Sequence, residues 1–149
     1  MKKFKEFRVG DTFQSTCSIS DKELEEYLSF SRVRNAFLDE MKEGESMVSG
    51  RAILSRMEGE FTRLSQIYGN HIVFIGTDGD AEWENRNTRF LKPLTADQVL
   101  RLKFTVSGKE DIDEEFGRIA IDFEGTDQDG ETIVLSKKNI YRIKKEPPR

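Results

Sequence analysis

One long amphipathic helical segment, followed only by strand-like segments, is the pattern that most constrains how this chain folds. Apolar residues in segment 51–68 recur at spacings of three and four, which predicts a helix with a single apolar stripe. Ser49 and Gly50 precede this segment, and Gly69-Asn70 is typical of a helix end. The stripe needs an apolar surface to cover it, and the strands that follow supply one. Its members are Ala52, Ile53, Met57, Phe61, Leu64, Ile67 and Tyr68.

Alternation of apolar and polar residues predicts the strands. The segments that read as strands are 12–19, 71–75, 100–106, 119–123 and 132–144. The sequence Asp127-Gln128-Asp129-Gly130 is a hairpin signal before the last of them. We therefore predict an α+β fold in which a curled antiparallel sheet, with about four strands after the long helix, wraps around that helix. Segment 82–90, polar apart from Trp83 and Phe90, is a candidate edge strand.

A shorter helical region precedes the long helix. Ser20 and Glu23 have the spacing of a capping box, which predicts a helix start carrying Leu24, Tyr27 and Leu28. The helical pattern resumes through residues 33–41, and 42–46 reads as a polar loop. The chain has 149 residues, which favours one domain, with a tail from about residue 145.

Composition excludes several classes of function. The net charge of -4 does not favour a nucleic-acid partner, and no apolar run approaches the ~20 residues of a membrane helix. The single cysteine, Cys17, excludes an intrachain disulfide and reads as a buried structural thiol. No metal-ligand spacing is present, so no metal or cofactor is expected. We expect a cytoplasmic protein.

Several short motifs occur together in an order that resembles one known family. They are Phe7-Arg8-Val9-Gly10-Asp11, Ile19-Ser20-Asp21-Lys22-Glu23, Tyr27-Leu28-Ser29, Val48-Ser49-Gly50 with Ser55, Arg89-Phe90-Leu91-Lys92-Pro93-Leu94 with Asp97-Gln98-Val99, and Asp129-Gly130-Glu131. In this order they resemble the MaoC-like, (R)-specific enoyl-CoA hydratase family. The resemblance implies a hot-dog fold, usually dimeric, that binds acyl-CoA or acyl-carrier thioesters. Its hydratases add water to a trans-2-enoyl thioester with an Asp and a His from one loop.

The catalytic positions of that family hold other residues here. Ser31 falls where the Asp should be, and Ala36 or Phe37 falls where the His should be. Ser49 replaces the His that precedes the helix glycine. The one histidine of the chain, His71, begins a predicted strand well beyond the long helix. The Asp/His dyad is therefore missing.

The binding half of the family's site is retained. Gly50 stands at a helix start, where an amide without a partner can face a thioester carbonyl, and Ser55 matches a serine beside the acyl pocket. The first hypothesis is a protein that binds acyl thioesters without normal hydratase activity. The alternative is an active hydratase, dehydratase or thioesterase that uses Glu58 or Glu60, or a partner subunit's dyad.

Further groups extend these hypotheses. Asp39, Glu40 and Glu43 are carboxylates that could return toward the vacant dyad position. Five arginines read as helix-surface charges or as phosphate ligands for CoA: Arg32, Arg34, Arg51, Arg56 and Arg63. We predict a homodimer, or pairing with another hot-dog subunit, because a sheet edge such as segment 82–90 invites a further strand.

Overall fold

The computed structural model describes residues 1–33 and 46–146, and the structural statements below concern these residues. Within them the α-helices are α1 (Asp21–Ser31) and α2 (Gly50–Arg63). The strands are β1 (Thr12–Cys17), β2 (Ile72–Thr77), β3 (Thr88–Phe90), β4 (Leu100–Asp111), β5 (Phe116–Thr126) and β6 (Thr132–Lys144). Neither described helix is long and apolar enough to cross a membrane.

The strands form one antiparallel sheet in the order β1-β4-β5-β6-β2. Strand β3 also pairs with β6, so that β2 and β3 share one edge: Phe90 lies opposite Val134, and Ile72 lies opposite Ile143. The α+β prediction is confirmed. Five described strands follow α2, where the sequence predicted about four, because the polar segment before residue 91 includes the short strand β3.

Helix α2 lies against the inner face of the sheet. The ring of Phe61 is centred 5.5 Å from Phe104, 5.9 Å from Phe123 and 5.2 Å from Tyr141, which belong to three neighbouring strands. Met57, one turn earlier, is fully buried. The predicted apolar stripe thus packs against the sheet, and every second residue faces this core from Leu100 to Val106 in β4 and along the whole of β5.

Helix α2 is shorter than predicted, and the bound of residue 68 is wrong. The backbone leaves the helix at Leu64, and turns follow that keep Ile67 buried and leave Tyr68 73% exposed. The amino-terminal segment stabilises these turns, because the Lys2 amide donates to Gln66 O and the Asn70 side chain donates to Lys2 O. A contact distant in sequence therefore ends the helix.

Helix α1 begins with the predicted capping box. The Ser20 hydroxyl accepts the Glu23 amide at 3.1 Å, and the Glu23 carboxylate accepts the Ser20 amide at 3.1 Å. Arg56 of α2 pairs with Glu23 and donates to Ser18 O, so this arginine joins the two helices and is more than a surface charge. The helical pattern predicted through residue 41 and the loop 42–46 lie outside the described residues, except Val33 and Ser46.

Segment 82–90 is a strand only at its end, so the predicted edge strand is mostly wrong. A single 3-10 turn, Ala81–Trp83, is followed by left-handed backbone at Glu84 and Asn85. The Asp80 carboxylate accepts the Glu82 amide at 2.9 Å, which stabilises the turn and delays the strand until Thr88. Most of this sheet edge is instead β2.

The first residues of the chain are fastened to the middle of the sheet. Phe4 is buried, and its ring lies so close to Gly117 of β5 that a Cβ there would come within 2.2 Å of it. The ammonium groups of Lys109 and Lys145 lie 4.7 Å and 5.6 Å from the ring centre. The Lys145 amide also donates to Glu115 O in the turn before β5, so the residue at which we predicted the tail is still bonded to the domain.

Candidate functional site

A groove of about 500 Å³ opens at the amino end of α2. Its walls come from the residues before the helix, the first helical turn and the segment that follows β3. Most of the lining is apolar: Val48, Ile53, Phe90, Leu91, Pro93 and Leu94. A cavity of this size, largely apolar with a few polar groups, has the character of a small-molecule site.

The floor of the groove is the helix start itself. Ser49 is the N-cap, and its hydroxyl accepts the Ala52 amide at 3.2 Å. Gly50 is the first helical residue, and a Cβ at this position would lie 2.5 Å from the ring of Phe90. Only glycine lets that ring rest on the backbone here. The first amides of a helix lack carbonyl partners within it and attract negative charge, so the floor is suited to a polarised carbonyl.

Two polar connections position the groove wall. The Val48 amide donates to Leu94 O at 2.8 Å, which ties the approach to α2 to the segment after β3. Lys92 pairs with Glu131 and, at 2.9 Å, with the buried carboxylate of Asp127. The Lys92 ammonium holds the pKa of Asp127 below its usual value, and the two acidic partners raise the pKa of Lys92. The wall is therefore fastened to the β5–β6 hairpin.

The serines at the two vacated catalytic positions serve as local backbone partners. Ser31 is the last residue of α1, and its hydroxyl accepts the Val33 amide at 3.3 Å. The Ser49 hydroxyl is occupied by its capping bond. The other dyad candidates (Ala36, Phe37, Asp39, Glu40 and Glu43) lie outside the described residues, as does Arg34.

The structure does not bring Ser55, Glu58 or Glu60 to the groove. Ser55 is exposed and does not line it. Glu58 is half-buried eight residues along α2 from Gly50, about 12 Å at the helical rise, and accepts the Tyr141 hydroxyl at 2.8 Å. Burial, then the charge of Glu58, raises the pKa of Tyr141. Glu60 accepts the Ser15 hydroxyl at 3.2 Å. The assignment of these three residues to the site therefore stays a prediction.

Neither His71 nor Cys17 lies at the groove. The register places Phe90 opposite Val134 and the residue after His71 opposite Ile143, which separates the two ends of β6 by about 30 Å. Cys17 is only partly buried, where the sequence predicted a buried thiol. Burial, then the nearby Glu60 carboxylate, still raises the pKa of this thiol to about 11, so it stays protonated. The part of the chain that the structure describes has no cluster of three metal-ligating side chains.

Comparison with known proteins identifies the fold. No family model and no curated protein matches the sequence. The MaoC-like dehydratase of Rhodospirillum rubrum is 13% identical with a TM-score of 0.68, covering 98% of this chain and 99% of that one. The unliganded (R)-hydratase PhaJ1 of Pseudomonas aeruginosa is 17% identical with a TM-score of 0.67, covering 99% and 86%. The chain has the hot-dog fold.

Hot-dog thioesterases are also among the similar structures. A hypothetical thioesterase of Streptococcus pneumoniae, solved with coenzyme A, is 13% identical with a TM-score of 0.54, covering 97% of this chain and 85% of that one. At these identities the likeness establishes the hot-dog fold, shared by MaoC-like dehydratases, (R)-hydratases and thioesterases, and nothing finer.

Two residues that shape the inner face were missed as site residues. Phe90 was predicted as part of an edge strand, although Pro93 shortly after it was a signal that the strand ends and the chain turns over the helix start. For Tyr141, the alternation of β6 predicts only that the side chain points inward, and nothing in the sequence indicates that its hydroxyl donates to Glu58.

Proposed function

We propose that this hot-dog chain binds acyl thioesters in the groove at the amino end of α2 and does not hydrate them as a hydratase would. The observation that carries the proposal is the apolar groove with Gly50 at its floor. The acyl chain would contact the apolar walls, and the thioester carbonyl would accept a bond from a free helix amide. Arg51 places a positive charge in the lining of the groove, whereas the Lys92 ammonium is neutralised by Asp127 and Glu131.

The chemistry of the side chains supports binding without hydration. Addition of water to an enoyl thioester needs a base for water and a proton for the α carbon. The one histidine is at the opposite end of β6, and the hydroxyls of Ser31 and Ser49 are engaged by backbone amides. The solved hot-dog thioesterase with coenzyme A supports the same class of ligand.

The test is thermal unfolding with acyl-CoAs of several chain lengths and with free CoA, followed by mass spectrometry of each mixture. A ligand that binds only the folded state raises the midpoint by mass action. We expect a rise with acyl-CoA and recovery of unchanged ligand. No rise with any thioester, or rapid hydration of crotonyl-CoA, would overturn the proposal.

A matched pair of glycine variants locates the ligand. Gly50→Ala forces a Cβ into the Phe90 ring, so it should abolish most of the midpoint rise. Gly59→Ala changes the same helix at a position with no atom within 4 Å of the new Cβ, and it should keep the full rise. Equal responses in both variants would place the ligand elsewhere.

The second candidate function is thioester hydrolysis by a carboxylate of α2. The observation that favours it is the half-buried Glu58 carboxylate, held by the Tyr141 hydroxyl. Glu58→Gln should then abolish acyl-CoA hydrolysis, and Glu60→Gln, whose carboxylate contacts Ser15 instead, serves as the comparison. Activity retained in both variants would remove these two bases and leave Asp39, Glu40, Glu43 or a partner subunit's dyad.

We also propose that two copies pair along β2. Among the described strands this edge strand bonds only to β6, and three consecutive apolar residues on it, Val73, Phe74 and Ile75, are 43–49% exposed. An open apolar edge invites an antiparallel copy of itself. Val73→Lys should give a monomer in sedimentation equilibrium, while Ile112→Lys, at a similarly exposed residue beyond β4, should remain dimeric. A wild-type monomer at micromolar concentration would refute the pairing.

A further inference from the structure

The outer face of the sheet has a basin of about 450 Å³ on the side opposite α2. Its floor comes from neighbouring strands and is made of Gly108, Ala120 and Ile140. Two irregularities in strand pairing, after Val106 in β4 and after Ile121 in β5, interrupt the regular rows of side chains there. Small floor residues and a distorted sheet leave a hollow where a flat sheet would have none.

Arg118 of β5 enters this basin without a partner. Its Nε is buried and has no acceptor, and its guanidinium makes no hydrogen bond or ion pair in the described part of the chain. Glu110 is its register partner on β4, yet the two side chains form no ion pair. On β6 it faces Arg142, whose guanidinium lies 4.3 Å from the Phe116 ring centre. Arg118 and Arg142 therefore lie side by side, and the buried Nε of Arg118 has no acceptor. A bound anion would supply that acceptor and balance the positive charge.

The acidic groups around the basin are occupied elsewhere or remain at its rim. The Asp80 carboxylate lies 3.7 Å and 3.8 Å from the ammonium groups of Lys137 and Lys138. Asp122 accepts the Lys138 amide at 2.9 Å. Asp78 and Glu110 are exposed. Hence none of the described carboxylates neutralises Arg118.

The remaining cation of the basin is also engaged. Lys109 donates to Phe7 O at 3.0 Å and lies over the Phe4 ring, so its ammonium is directed to the amino-terminal segment. Among the cations that line this hollow in the described residues, Arg118 alone has donors with no acceptor.

We propose that this basin binds a small ligand through an oxyanion group held by the Arg118 guanidinium. The planar fork of arginine matches the two oxygens of a carboxylate or of a phosphate. The exposed acidic side chains at the rim repel a doubly charged group more than a singly charged one, so a carboxylate binds more tightly than phosphate. The site lies across the sheet from the groove and stands whether or not the groove binds thioesters.

The experiment is a titration with acetate, with malonate and with inorganic phosphate, followed by amide NMR shifts with ionic strength held constant by sodium chloride. We expect saturable shifts at Gly108 and Ala120 and no shift at Gly50, with a lower dissociation constant for singly charged acetate than for doubly charged malonate or for phosphate. Shifts that do not saturate, or that spread over all exposed cations, would overturn the site.

Variants at Arg118 test the assignment. Arg118→Met keeps the apolar stem and should weaken carboxylate binding at least about tenfold. Arg101→Gln, an exposed arginine on the outer face of β4 at another hollow, should bind as the wild type does. Arg118→Lys, which keeps the charge and loses the fork, provides a second variant and should fall between them. Equal binding in Arg118→Met, or in Arg118→Lys and wild type, would refute the role of the guanidinium.

Stability gives an independent readout of the same site. In buffer without the ligand, Arg118→Met removes a buried donor that lacks an acceptor, so its unfolding midpoint should equal or exceed that of the wild type. A clearly lower midpoint would mean that Arg118 stabilises the fold itself, and the ligand assignment would fail.

Discussion

The hydroxyl of Tyr141 is the group whose removal tests the inner face of the sheet most directly. Tyr141 is 1% exposed, packs against Phe61 and Phe74, and donates to the Glu58 carboxylate at 2.8 Å. Tyr141→Phe keeps the ring packing and deletes only this bond. The variant therefore separates the polar contact from the apolar core.

At neutral pH we expect Tyr141→Phe to lower the free energy of unfolding by about 1.5 kcal/mol. Hydrogen bonds to charged groups contribute roughly 1.5–3 kcal/mol, and the lower value applies because water can reach the half-buried Glu58 carboxylate. This loss of free energy corresponds to one hydrogen bond, since the packing of the aromatic ring is unchanged.

Alkaline pH should reverse the order of stability. Burial raises the pKa of Tyr141 in the folded state, so its contribution is complete below the unfolded pKa of about 10 and is lost as pH rises above it. The wild type should lose about 1.4 kcal/mol for each pH unit above 10 from this group, and the phenylalanine variant should not. The two stability curves are then expected to cross near pH 11.

Urea unfolding followed by circular dichroism, at several pH values from about 7 to 11.5, measures both effects. Comparing variant with wild type cancels the alkaline titration of Cys17 and of the lysines. Tyr68→Phe, at a tyrosine that is 73% exposed, is the matched control and should follow the wild type throughout. Parallel curves for Tyr141→Phe and wild type up to pH 11.5 would refute the reasoning.

The remaining predictions concern stability. Phe4→Ala should lower the free energy of unfolding by about 3 kcal/mol, and Gly117→Ala should lower it by about 1–3 kcal/mol. In the Phe4→Ala background, Gly117→Ala should cost almost nothing, because the ring that its Cβ would meet is gone. Additive losses would contradict the packing of this pair. Because Lys92 lowers the pKa of Asp127 in the folded state, the ionised Asp127 stabilises the fold above pH ~4, and this stabilisation is lost as pH falls. Asp127→Asn should therefore lose less stability on acid titration than the wild type does. Ser20→Ala should cost about 1 kcal/mol in urea unfolding, and no loss would exclude the capping bond.

Local patterns in the sequence predicted the regular elements. The two-residue alternation of β4 and β5 corresponds to their buried faces, and Ser20 and Ser49 precede the helices they cap. Each of these features depends on neighbours within a few residues, so it can be predicted from the local sequence.

Features that depend on distant contacts could not be read in the same way. The end of α2 depends on a contact with the Lys2 backbone. The apolar stripe continues past the end of the helix, as the buried Ile67 shows. The groove exists because Phe90 rests on Gly50, forty residues earlier in the chain. The partnerless donor of Arg118 appears only once strand register and pairing irregularities are known. Each of these requires the tertiary fold.

Trp83, the one tryptophan of the chain, lies in the turn before β3 between two cations. The Arg89 guanidinium and the Lys137 ammonium lie 4.6 Å and 4.2 Å from its ring centre. Its fluorescence therefore reports this peripheral turn, whereas far-ultraviolet dichroism reports the sheet and helices. If the turn opens before the core, emission will change at lower denaturant than ellipticity, and the two optical signals together will separate local opening from global unfolding.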